Sequence, residues 1–175
     1  MALIVEDGTG LSTAESYLSV SDADAYFSAR NLTLWASADF STAEKEACLR
    51  RATDYMGQVF RLRWAGQRVN ATQALDWPRY NVPRQDYGVL AAPALYDSAS
   101  VPVEVKNACA EMAWRAAFGE LYSDQGTPAT SKTVGPITMT YAAGARQSKR
   151  YVAVEALLAP LLTSSADSFA RVVRA

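Results

Sequence analysis

Ser41-Thr42-Ala43-Glu44-Lys45-Glu46-Ala47-Cys48-Leu49-Arg50-Arg51-Ala52-Thr53-Asp54-Tyr55-Met56-Gly57-Gln58-Val59-Phe60 decides the fold class. Ser41 and Glu44 stand at capping-box spacing, and Cys48, Ala52, Tyr55, Met56 and Val59 recur every three or four positions. Glu46, Arg50 and Asp54 form a charge ladder at i,i+4 on the other side. An amphipathic helix over Thr42–Phe60 follows, with one face in a core.

Outward from this helix, Pro102 opens a second and longer one. Its buried stripe is Val105, Ala108, Cys109, Met112, Ala113 and Ala116, and it runs to about Tyr122. The small residues let a neighbouring helix approach closely, so the two long helices are expected to pack antiparallel. Ser21 reads as the N-cap of a shorter helix ending near Arg30, with Asp22 and Asp24 at its positive end. Those carboxylates complement the helix dipole; as a metal site they lack a third oxygen-rich position nearby. Tyr151–Leu162 predicts a last helix, bent or ended near Pro160.

The rest is β structure and connections. Leu3–Val5 reads as a short strand, at an edge or in an arm, followed by a turn. Residues 61–100 form a long aromatic connection, expected to hold a short helix near Ala71–Leu75 and a small strand pair. Ile137, Met139 and Tyr141 alternate with Thr138 and Thr140, which predicts a half-exposed edge strand. The expected fold is thus mainly α: a small bundle of about four helices with a minor β-hairpin element and extended N- and C-terminal arms. Residues 1–162 form one domain in this reading, and 163–175 a C-terminal docking tail.

Composition excludes much chemistry. The 175 residues include no histidine, which removes Ser-His-Asp and Cys-His catalysis and imidazole metal ligands. Cys48 and Cys109 lie 61 positions apart in apolar helical patterns, so reduced core thiols are expected and neither a zinc site nor a redox pair. Gly8-Thr9-Gly10 lacks the strand–turn–helix setting of a phosphate cradle. No cofactor, metal or enzymatic activity is expected, nor is a signal peptide or membrane span.

Charge is segregated. Residues 1–46 carry eight acids and two bases, net −6, whereas residues 50–84 carry seven arginines and two aspartates, net +5. Opposed regions of this kind favour head-to-tail association into a ring. The basic stretch also interleaves Trp64, Trp77 and Tyr80 with Arg61, Arg63, Arg68 and Arg79, a composition able to stack on and neutralise single-stranded DNA. Trp64 and Trp77 fit equally a contact surface and packing beneath the loop. The tail places Phe169, Val172 and Val173 beside Arg171 and Arg174, too apolar for solvent alone and too short to fold by itself.

Six segments together resemble a family of small proteins from tailed-phage structural modules: Tyr17–Phe27, Leu49–Tyr55, Trp64–Val69, Gln73–Arg79, Val101–Lys106 and Val134–Ile137. The family is similar to head–tail connectors, or adaptors, and its members carry the label DnaT-like single-stranded-DNA-binding protein. The connector resemblance implies a mostly helical subunit in a homo-oligomeric ring, typically of 12 copies, at the virion neck after assembly in the host cytoplasm. It further implies docking on the portal protein, contact with a tail-side neck or tail terminator protein, and DNA passing through the channel without sequence-specific binding. In that setting Phe169, Arg171, Val172, Val173 and Arg174 would insert along the portal or a neighbouring subunit. Arg61, Arg63, Trp64, Arg68, Trp77 and Arg79 would face a neighbour or DNA.

Overall fold

The computed structural model describes residues 2–36, 40–89, 92–122, 124, 131–141 and 149–163. The first helix, α1, spans Val20–Ser28 and buries Ala23 and Phe27. Its cap is Ser19, whose hydroxyl accepts from the Asp22 N–H at 3.1 Å, and not Ser21. Both serines fit the cap by composition; the extended backbone of Ser19 decides between them. A 3-10 turn at Thr33–Ala36 then sets Trp35 against Phe27, ring centroids 4.7 Å apart.

Helix α2 is Thr42–Phe60, the span read from the sequence. Both halves of its capping box form: the Ser41 hydroxyl accepts from the Glu44 N–H, and the Glu44 carboxylate accepts from the Ser41 N–H at 2.8 Å. Such a cap stabilises a helix by about 1 kcal/mol. Helix α3 is Val103–Ala117, ending at Phe118 and Gly119 instead of running on to Tyr122. Arg51 of α2 donates to the Ala116 and Gly119 carbonyls, taking up acceptors that a longer helix would have used.

The α2–α3 contact is the most extensive between helices, and α4, Val152–Leu158, packs on α3. Arg51 of α2 meets Ala116 and Thr53 meets Cys109, so rising numbers on one helix meet falling numbers on the other, the expected antiparallel register. Both cysteines are free and buried. One hydrophobic cluster runs from Tyr17 to Leu162. A 3-10 turn, Ala159–Leu161, follows α4 at Pro160 as the proline predicts.

Three antiparallel strand pairs complete the described residues. β1 (Gln67–Arg68) pairs with β2 (Arg79–Tyr80), β3 (Pro83–Val89) with β4 (Ala92–Leu95), and β5 (Ser131–Val134) with β6 (Ile137–Thr140). The class is therefore mainly α, with four α-helices and short β elements among the described residues. Residues 71–75 are not helical. There the Gln73 side chain accepts from the Asn70 N–H and donates to the Leu75 and Pro78 carbonyls, so side-chain bonds replace the helical ones. Leu3–Val5 is no strand either; it contributes only an isolated parallel bridge, Val5 to Ser16. No helix among the described residues is long and apolar enough to cross a membrane.

Candidate functional site

The basic loop after α2 turns inward around one carboxylate. Asp76 is almost fully buried; its Oδ1 accepts from Arg61 Nε at 2.9 Å and its Oδ2 from Trp64 Nε1 at 3.2 Å. The backbone N–H groups of Asp76 and Trp77 donate to the Tyr17 hydroxyl, at 3.0 and 3.4 Å. Trp77 is completely buried and meets Trp64 edge-on at 5.8 Å, with Phe60 beyond at 5.9 Å. Burial raises the Tyr17 phenol well above its ordinary range, so it stays protonated and accepts only through its lone pairs.

Arg79 and Arg68 of this loop are also engaged. Arg79 is buried and donates to the carbonyls of Ala65, Gly66 and Asp76. Desolvation lowers its pKa, with the nearby Asp76 charge opposing the shift. Arg68 donates to the Gln73 carbonyl. Gly66 has φ +67°, and a Cβ there would lie 2.3 Å from the Tyr80 carbonyl, so the loop can close only on glycine.

Of the six loop residues named from sequence, the structure gathers Arg61, Trp64, Trp77 and Arg79 around Asp76. Arg68 is nearby and half-buried, while Arg63 stands apart in solvent with its guanidinium 5.5 Å from the Phe60 ring centroid. Trp64 and Trp77 are core, which decides between the two readings left open for them. Asp76 and Tyr17 are the organisers that composition passes over. The available signal for Asp76 is an acid set among arginines in Asp76-Trp77-Pro78-Arg79.

The acidic half is likewise used within the chain. Glu6 is buried and accepts from the N–H groups of Gly8, Gly10 and Leu11 at 2.8–3.0 Å, so Gly8-Thr9-Gly10 does form an anion nest, filled by this chain's own carboxylate. Glu15 and Glu46 pair with Arg50, and Asp24 with Lys45. Asp24 also accepts from Trp35 Nε1, and Asp22 from the Ser19 hydroxyl. Through Glu15 and Glu46 with Arg50, the segregated charges therefore meet partly within the chain itself. Among the described residues, no group of three His, Cys, Asp or Glu is placed to hold a metal ion.

The β5–β6 ribbon is the opposite case. Every described side chain from Ser131 to Thr140 is exposed, where the alternation had predicted one buried face. The register pairs Val134 with Ile137 and Thr133 with Thr138, which puts Val134, Ile137 and Met139 on one face and the threonines on the other. The apolar three are 66%, 65% and 55% exposed. An isolated two-stranded ribbon is marginal in water, and nothing among the described residues covers this face. The tail residues Phe169, Arg171, Val172, Val173 and Arg174 lie outside the described residues. The chain approaches them from Thr163, whose N–H donates to the Arg63 carbonyl at 2.7 Å.

A family model described as "Putative DnaT-like ssDNA binding protein" matches residues 1–175. No curated protein and no solved structure matches the chain.

Proposed function

From the premise that the chain belongs to this DnaT-like family, we propose that it is a structural assembly subunit, a head–tail connector of a tailed-phage virion. It forms a ring of about 12 copies on the portal, receives a tail-side neck or terminator protein, and leaves a channel for DNA. The ring acts by assembly and needs no cofactor. The observation that carries this reading is the β5–β6 ribbon, whose apolar face Val134, Ile137 and Met139 is exposed in the protomer and suited to burial between subunits. The motifs from Tyr17 to Ile137 add the resemblance to connectors. Electron microscopy of the protein mixed with purified portal tests it: an added ring is expected, and portal without added density under assembly conditions contradicts it.

The family description favours a second reading, single-stranded-DNA binding. With Trp64 and Trp77 buried, that activity would have to use exposed Arg63, Tyr80, Arg84 and Tyr87. Filter binding to single-stranded DNA at two salt concentrations separates the readings. Tight binding with a steep salt slope supports this second function, and weak salt-insensitive retention removes it.

A further inference from the structure

A cleft of about 260 Å³ opens between α2 and the loop segment 74–76. Three groups in its wall have hydrogen-bonding capacity that the described residues leave unused. The first is the buried Tyr17 hydroxyl. Its oxygen accepts from the Asp76 and Trp77 N–H groups, while its proton has no acceptor among the described residues. A buried hydroxyl proton left without an acceptor destabilises the site that holds it. The second is Asp54, which has neither a hydrogen bond nor an ion pair among the described residues; desolvation alone raises its carboxyl pKa. The third is Arg61, tied to Asp76 through Nε, with no hydrogen bond from its Nη atoms among the described residues.

The cleft is open where α2 carries glycine. Gly57 lies inside the helix, three residues after Asp54 and four before Arg61, so the three share one face. Glycine in a helix interior is less favourable than alanine. Neither packing nor backbone demands it here: its φ is not positive, and a Cβ would meet nothing nearer than Arg61 Nη2 at 3.7 Å and Asp76 Oδ2 at 3.9 Å. The helix gives up stability at the position whose side chain would enter the space between Asp54 and Arg61.

Charge selects the ligand. The charged side chains in the wall are Asp54, Asp76 and Arg61, two acids against one base, net −1. An anion or a zwitterion would bring a carboxylate beside Asp76, whereas a monocation with a neutral oxygen suits all three unused groups. We propose that this cleft binds a small primary ammonium compound with a carbonyl or hydroxyl oxygen a few bonds away. The ammonium donates to Asp54, and the oxygen accepts from the Tyr17 hydroxyl and an Arg61 Nη. The site goes beyond the connector reading and does not depend on it.

Saturation-transfer difference NMR on the full-length protein tests this with glycinamide, β-alaninamide and 4-aminobutanamide, which lengthen the spacing of ammonium and carbonyl by one bond at each step. At least one is expected to bind saturably with a Kd of about 1 mM, and acetamide and propylamine, each carrying half of the chemistry, about tenfold more weakly or worse. No saturable binding by any of the three amides overturns the proposal, as does equal binding by the two half-ligands. Asp54→Asn is expected to weaken the best amide about tenfold with the melting temperature kept. Gly57→Leu, which fills the cleft with a good helix former, is expected to abolish binding without lowering the melting temperature. Undiminished binding by Asp54→Asn contradicts the site, whatever Gly57→Leu does.

Discussion

The basic loop, residues 61–84, and the β5–β6 ribbon, residues 131–141, exchange the places their compositions suggest. The loop is rich in arginine and tryptophan, the residues of contact surfaces, yet Trp64, Trp77 and Arg79 are buried around Asp76. The ribbon is a plain run of threonine, valine, isoleucine and methionine, yet it is exposed on both faces. What separates them is polar satisfaction. One buried carboxylate, the Tyr17 hydroxyl and a few backbone carbonyls take up most of the donors of the loop, leaving Trp77 Nε1 and Arg68 Nε as its buried exceptions, so it can leave water at acceptable cost. Among the described residues the ribbon has no such partners and no helix across it.

The contrast breaks most visibly at Trp77. Trp77→Ala is expected to destabilise the protein by about 4 kcal/mol in urea unfolding, because the side chain is core. A loss under 1 kcal/mol would return the loop to the surface. Asp76→Ala should follow at about 3 kcal/mol, since it strands Trp64 Nε1 as well as removing the partner of Arg61. A neutral result there would mean that the loop does not depend on its carboxylate.

A third variant sharpens the role of the acidic half. Glu6→Ala empties the nest of Gly8, Gly10 and Leu11 N–H groups and is expected to cost about 2 kcal/mol. Replacing Val134, Ile137 and Met139 together with Thr, Thr and Gln is the mildest change to the protomer, within about 0.5 kcal/mol. In the proposed connector reading its effect falls on assembly: ring formation or portal attachment, read by electron microscopy, should be lost. A ribbon variant that assembles normally would leave the apolar face without a purpose.

Legibility in the sequence follows the same division. Helix α2 was readable because cap, period and charge ladder agree over one continuous stretch, and α3 because its small-residue stripe is long. The bend at Pro160 came from a single residue with fixed geometry. The loop was not readable: its structure depends on contacts across long separations, such as Tyr17 with Asp76 and Asn70 with the Thr9 carbonyl, which no local pattern encodes. Charge segregation was legible, but its meaning changed. Glu15 and Glu46 with Arg50 use part of it inside the chain, so it is less available for attraction between copies than the sequence suggested. The ribbon's register was legible, its lack of a covering element was not.

Hydrogen–deuterium exchange on the protein alone and mixed with purified portal tests the central contrast in one measurement. Residues 64–80 should be protected already in the free protein and unchanged on mixing, while 131–141 exchange rapidly alone and become protected in the complex. New protection at 64–80 with an unchanged ribbon would contradict the account.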